Sequence, residues 1–587
     1  MNEQSDDNLQ LNDPRLEDTS LEDTSSEDPL STSHILYYAL LFGAIFLAIA
    51  LGLYVNLINP TTLPPDPQTQ LDLFQQAELP TYAHPIYQQL IDADPANITL
   101  HYQYINNYFA MPLDEQQAVT PTLTTTYQTL TQDPATHDLG HYALGQIASQ
   151  QTRYETALNH YQQVNNRDLP YLNNSTGYVL VQLKQDEAAE AAFWREIEID
   201  GNITGALFNL TDLYQRQQRP TELAALYQND RTKLYLTPDV QAWLAWHQRQ
   251  PLDYLRHTIS RINIPYTSLA ILSTLLICAM WLLYLWRIDI FEQEPFPLML
   301  LALGLGALSP FLTFILSDFL HALWPLELGT GFFNDLFFNI IHIGLVEEIS
   351  KFIPVIIIMT FFSREVDEPI DLLIYGSLSA LGFATLENAL YFSSYGPSII
   401  FNRFLLSTIG HLADTTIICY FWAHARFIQP RPVLPAILLG LGLATLAHGL
   451  YDYFLLALPE AAILSIILLF VMAEIYGNML HNALNFSPYY HDHQHHTDRL
   501  DNYALILATS ILIILIIYLH QVFTYSTELA NGPLRPIGFF TIFGIVAVFA
   551  TLFELTLEQG HLRPLYQLDK TNQASSTTAD NNTNNSD

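Results

Sequence analysis

Residues 339–358 read NIIHIGLVEEISKFIPVIII. The stretch is apolar and long enough to lie in a bilayer, yet Glu347, Glu348 and Lys351 sit in its middle. An ionisable group at the bilayer centre costs about 2.5–3.5 kcal/mol on insertion scales. A helix that carries three must turn them into a bundle where other polar groups meet them. Three later apolar stretches supply such groups: ALGFATLENALYF (380–392) holds Glu387 and Asn388, STIGHLADTTIICYFW (407–422) holds His411 and Asp414, and GLATLAHGLYDYFLL (442–456) holds His448 and Asp452. Helical spacing sorts them onto faces. Glu347 and Lys351 are four apart, as are Glu387 and both Phe383 and Tyr391, and His448 and Asp452. A carboxylate one turn from His448 is placed to orient its imidazole.

These stretches belong to a series. Ten apolar spans are predicted, at 36–58, 267–287, 297–318, 336–361, 372–392, 404–424, 433–457, 461–481, 502–524 and 537–556. Counted from the same side of the membrane, Glu347, Glu387, His411 and His448 lie 13–15 residues into their spans. At ~1.5 Å per residue that is ~20–23 Å deep, so the four share one layer. The fold class is therefore all-α, a polytopic transmembrane helix bundle.

The rest of the chain is polar. Of 587 residues, 50% are apolar and 14% charged, and the formal net charge is -36. Such an acidic balance argues against a nucleic-acid partner. With only Cys278 and Cys419, both in apolar runs, no disulfide framework is possible. Residues 1–33 form an acidic segment with disordered composition, and 34–58 an uncleaved transmembrane anchor. Residues 59–266 form one soluble region. In it Gly145, Ala157 and Tyr161 recur as Gly177, Ala189 and Phe193, and more loosely as Thr211, Leu223 and Tyr227, at steps of 32 and 34 residues. That period and the alternation of small and aromatic positions predict a tetratricopeptide-like stack of helix pairs, a common protein-binding scaffold. Residues 267–485 make the membrane core, 486–556 a histidine-rich loop (HDHQHH, 491–496) with two extra spans, and 557–587 a disordered tail.

Basic residues in short loops set the orientation. With the N-terminus inside, the cytosolic segments hold Arg15, Arg287, Arg364, Arg426, Arg431, Arg499, Arg563 and Lys570, and the outer ones hold Arg403 and Arg535. Both termini are thus expected in the cytosol and the repeat region outside it.

Two glutamates and two histidines in one layer suit hydrolysis in either of two ways. They can ligate Zn²⁺ and leave a position for water, or a buried glutamate can act as general base without metal. A non-catalytic alternative is a scaffold or transporter whose polar cluster glues helices or carries ions. The motifs in order narrow the choice. FEQEPFPLMLL (291–301), EExxK (Glu347, Glu348, Lys351), FxxxEN with Tyr391, Arg403 followed by His411, and HGLYD (His448 to Asp452) together resemble the PrsW family of intramembrane proteases, over about residues 285–480. The family is related to the CAAX prenyl endopeptidases, but Lys351 and Glu387 resemble PrsW more closely. The resemblance implies cleavage of a membrane-embedded or membrane-proximal peptide bond in a membrane protein, such as an anti-sigma-factor-like protein, in a bacterial inner membrane. It implies that Glu347 and Glu348 activate water, that His411 and His448 bind metal or stabilise the oxyanion, with Glu348, His411 and His448 as the metal set and Zn²⁺ as the candidate ion. Lys351, Glu387, Asn388 and Asp452 then hold these groups in place. The anchor, the repeat region and the two last spans depart from the family's pattern, so a protein partner of the repeats enters the question of substrate.

Overall fold

The computed structural model describes residues 32–565, apart from 78, 263–267, 396–402, 404–406, 459–460, 492–497 and 533–556. The predicted disorder of 1–31 and 566–587, the predicted span 537–556 and most of the HDHQHH tract lie outside the described residues.

Every described regular element is helical. Among the described residues, seven helices are long and apolar enough to cross a membrane: Ile35–Ile58, Ile271–Ile288, Phe296–Leu323, Pro369–Phe392, Val433–Ala457, Ile463–Asn485 and Ala504–Thr524. Two further predicted spans, 336–361 and 404–424, are helical where described but fall outside this group. The first carries Glu347, Glu348 and Lys351 within one run, and the second carries His411, Asp414 and three threonines in Thr408–Ala423. Their polarity is what the site is made of.

Pro369–Tyr395 is the central helix. It is buried almost all round, as expected of a helix that is apolar on every face, and it packs against Ser268–Ile288, Phe296–Leu323, Val346–Phe361 and Thr408–Ala423. One continuous apolar core joins these helices, with Trp281, Tyr284, Tyr375 and Tyr476 fully buried in it.

Contacts between segments sort the two ends of the bundle. At one end Arg287 lies 4.5 Å over the Tyr37 ring, Arg426 donates to the Val366 carbonyl at 3.1 Å, and Tyr489 donates to Asp367 at 2.9 Å. At the other, the Thr527 amide donates to the Thr61 carbonyl at 3.0 Å, and Tyr254 and Arg261 both reach Asp318 at 2.9 Å. These contacts join segments that the loop charges assign to the same side. Arg403, counted among the outer charges, instead turns into the bundle. Residues 557–565, read as part of a disordered tail, are held along Ile463–Asn485: Asn485, Asn482 and Asn478 donate to the carbonyls of His561, Arg563 and Leu565 at 2.9, 3.0 and 3.1 Å. A face of asparagines satisfies an extended backbone there, which composition alone does not reveal.

Between residues 59 and 262 the chain forms a row of helix hairpins, among them His137–Gln150 with Tyr154–Gln163, Leu172–Gln182 with Asp186–Glu198, and Ile203–Arg216 with Pro220–Gln228. A Cβ at Gly145 would overlap the Tyr161 ring, and one at Gly177 the Phe193 ring. The small residues are there so that aromatics can fill the space between paired helices. Each hairpin turn holds a residue in the left-handed region: Thr152, Lys184 and Gln218, with φ of 57°, 59° and 54°.

Candidate active site

The helix Val346–Phe361 is preceded by a π-helical stretch, Phe338–Leu345. Such wide turns are uncommon and recur at functional sites. Here the stretch packs against Val433–Asp452, and two glycines permit the approach. A Cβ at Gly449 would run into the Ile340 backbone, and one at Gly344 would lie 2.8 Å from the Thr445 carbonyl oxygen. The helix bearing Glu347 and Glu348 is thereby laid directly on the helix bearing His448.

Glu348 is wholly buried. Its Oε1 lies 2.6 Å from Lys351 Nζ and 2.7 Å from His448 Nδ1, and Thr415 donates to Oε2 at 2.8 Å. A carboxylate beside Nδ1 places a proton on that nitrogen. Nε2 of His448 lies 3.3 Å from Asp452 and 3.5 Å from Glu347 Oε2. Lys351 is also fully buried. Its ammonium stands 3.0 Å from His411 Nδ1, 3.6 Å from Glu347 and 4.8 Å from the centre of the Phe383 ring. His411 Nε2 meets Glu387 at 2.8 Å, and the His411 and His448 rings are 5.3 Å apart. Glu387 in turn pairs with Arg403 at 2.7 Å, and the Arg403 guanidinium stacks on Tyr391 and donates to Asn388 at 2.9 Å.

The predicted residues therefore gather, with differences of role. Asn388 touches Arg403 and Thr408, not the imidazoles. Glu348 is saturated by lysine, histidine and threonine, whereas Glu347 Oε2 is buried with no hydrogen bond. An acceptor left open in that position calls for water or an ion. Asp414 also joins the cluster, with a buried oxygen that makes no hydrogen bond. The sequence signal for it was its place one turn from His411. Thr415 carried no signal, because its contact crosses between helices.

Metal suitability follows from the donors. Two groups bring ligand atoms within 4.8 Å of one another: Glu347, His411 and His448, and Glu348, Asp414 and His448. The predicted combination of Glu348, His411 and His448 is not one of these, since Lys351 stands between Glu348 and His411. The set Glu347, His411 and His448 fits Zn²⁺ in kind, with two nitrogens and one carboxylate, and Glu347 Oε2 is the open acceptor. Carboxylates also outnumber the fixed cations Lys351 and Arg403, which favours a further positive charge. His411 is at present shared between Lys351 and Glu387.

A second acidic cluster lies where the chain leaves Ser268–Ile288 and where it enters Pro369–Tyr395. Asp289, Glu294, Glu368 and Asp371 are all buried. Tyr375 donates to Glu294, the Glu294 amide donates to Asp289 at 2.7 Å, and the Glu368 amide donates to Asp371 at 2.8 Å. Burial, and then the neighbouring carboxylates, push Asp289 and Glu368 up to about 7 and Glu294 to about 8. Glu294 lies in the EPEP-like segment, so the signal was present but read only as a motif.

A carboxylate, imidazole and lysine centre buried among apolar helices marks an integral membrane protein whose donors suit hydrolysis. Comparison with known proteins agrees. The family model described as PrsW family intramembrane metalloprotease matches residues 294–476. The chain is similar to Protease PrsW of Bacillus subtilis (strain 168), 31% identical over 177 residues, which cover 30% of this chain and 78% of that relative. It is also 35% identical over 116 residues to Protease PrsW of Geobacillus kaustophilus (strain HTA426), covering 19% of this chain and 50% of that one. No solved structure matches it. The chain belongs to the PrsW family and is an intramembrane peptidase; the repeat region and the last spans lie outside the matched part.

Proposed function

We propose that the chain hydrolyses a peptide bond within or next to the bilayer, with Glu347 as the group that takes the proton from water. The observation that carries this is the open Glu347 Oε2, buried 3.5 Å from His448 Nε2 and without a hydrogen bond. A buried carboxylate beside an imidazole can accept a proton from water and hand it on to the leaving amine. Glu348 fixes the His448 ring through Nδ1, and Lys351 balances the Glu348 charge. Asp452 steadies His448 from the outer side. His411, held between Lys351 and Glu387, faces the same space and is placed to stabilise charge on the scissile carbonyl. Were Zn²⁺ held, Glu347, His411 and His448 would be its donors and the ion would supply Lewis acidity toward the carbonyl and the water; Glu347 would then serve as a ligand in place of its role as the base.

The repeat region recruits or gates the substrate outside the cytosol, in a tetratricopeptide-like manner. A groove of about 350 Å³ lined by Tyr102, Asn106, Gln146, Tyr178 and Asn209 supports this, since aromatic and amide side chains suit an extended peptide. The loop charges favour cytosolic termini; the family suggests a bacterial inner membrane and an anti-sigma-factor-like membrane protein as the substrate class. The test is turnover of candidate single-span membrane proteins by the reconstituted chain. Glu347→Gln should lower it by about 10²–10⁴-fold, the range of general acid–base catalysis, while the variant still inserts. Turnover unchanged by Glu347→Gln refutes the assignment.

A further inference from the structure

We propose that His137, His141 and His160, in the soluble helical region, form a binding site for a divalent transition-metal ion of the Zn²⁺ type, separate from the membrane centre. His141 Nδ1 and His160 Nδ1 face each other at 3.2 Å. Two nitrogens bound tetrahedrally to one Zn²⁺ at about 2.0–2.1 Å stand about 3.3 Å apart, so the pair is already at ligand spacing. Without an ion the two like nitrogens can share only one proton, whereas an ion uses both lone pairs.

His137 is one helical turn before His141, and their rings are 4.6 Å apart. An i, i+4 histidine pair on a helix is a natural chelate, because both side chains leave the same face. The His137 Nδ1 lies 3.2 Å from Asp138 Oδ1, and Asp138 is itself fixed by the amides of Asn165 and Asn166 at 2.8 Å each. A carboxylate on Nδ1 leaves Nε2 as the ligating atom, the arrangement that commonly backs metal-bound histidine. Turning the His137 ring toward the pair completes a three-nitrogen set with water as the fourth ligand. All three residues are half-buried, so the site opens to solvent and has an entry path. Burial lowers the pKa of His141 and His160, which keeps the lone pairs available near neutral pH.

An ion here ties Tyr154–Gln163 to His137–Gln150 and stiffens one hairpin of the stack. The test uses the full chain in detergent, without a purification tag, with His491, His493, His495 and His496 replaced by Asn to remove the loop tract. Titration with Zn²⁺ against a fluorescent indicator should show one equivalent fewer in the His141→Asn and His160→Asn double variant, and at least ~10-fold weaker binding of that equivalent in His137→Asn. On the chain with all three histidines present, Zn²⁺ should protect His141 and His160, but not His257, from diethyl pyrocarbonate. Equal zinc uptake by both proteins, binding only at millimolar Zn²⁺, or absence of that protection overturns the proposal.

Discussion

Two clusters of buried carboxylates lie in one bundle, and they are neutralised differently. In the membrane centre Glu347, Glu348 and Glu387 meet Lys351, Arg403 and two imidazoles within 2.6–3.6 Å. At the edge Asp289, Glu294 and Glu368 are raised by burial and by neighbouring carboxylates, so their protonated forms persist toward neutral pH. Opposite charge keeps the first cluster poised for proton transfer; shared protons let the second act as packing. The lesson is that acid in a membrane bundle is a site where fixed cations and imidazoles converge on it, and a pH-dependent strut where burial and neighbouring acids raise it.

The comparison can be broken most severely at Lys351. Removing one partner of a buried ion pair costs about 3–5 kcal/mol. Lys351→Met should therefore abolish activity and lower thermal stability sharply, and Lys351→Met with Glu348→Gln should recover most of the stability but none of the turnover. If the single variant is as stable as the parent, the central pairing is wrong. The next effect is on the edge cluster. A carboxyl with a raised folded pKa adds stability that is full below its unfolded value, near 4, and is lost as pH rises toward 7–8. Glu368→Gln should stabilise the chain at pH 8 and not at pH 4, shrinking the difference in melting temperature between the two. An unchanged difference would show that the edge acids are paired after all. The smallest effect belongs to the repeats. Thr152 holds a left-handed conformation that costs a β-branched residue roughly 1–2 kcal/mol. Thr152→Gly should raise the melting temperature of the soluble region slightly and leave the turnover of short substrates unaltered.

Much of this was legible from residues because burial in a membrane makes polar side chains conspicuous. Glu347, Glu348, Lys351, Glu387, His411 and His448 announce themselves against apolar runs, and matched depth brings them together. The helix hairpins were legible for the opposite reason, since Gly145 and Gly177 mark where Tyr161 and Phe193 must fit. What sequence spacing hides is contact across helices. Thr415 on Glu348, Arg403 returning to Glu387, and the asparagine face holding 557–565 depend on which helices are neighbours. The same limit explains the metal set: spacing treats Glu347 and Glu348 alike, and only the position of Lys351 separates a saturated carboxylate from an open one.

The most direct test of the centre is the turnover of one reconstituted substrate by Glu347→Gln, His448→Ala and the double variant, each checked for insertion and helical content. Groups that act as a unit do not add. Each single variant should lose about 10²-fold or more, with the double variant no worse than the weaker single. Turnover by His448→Ala within threefold of the parent, or losses that multiply in the double variant, would contradict a shared hydrolytic centre.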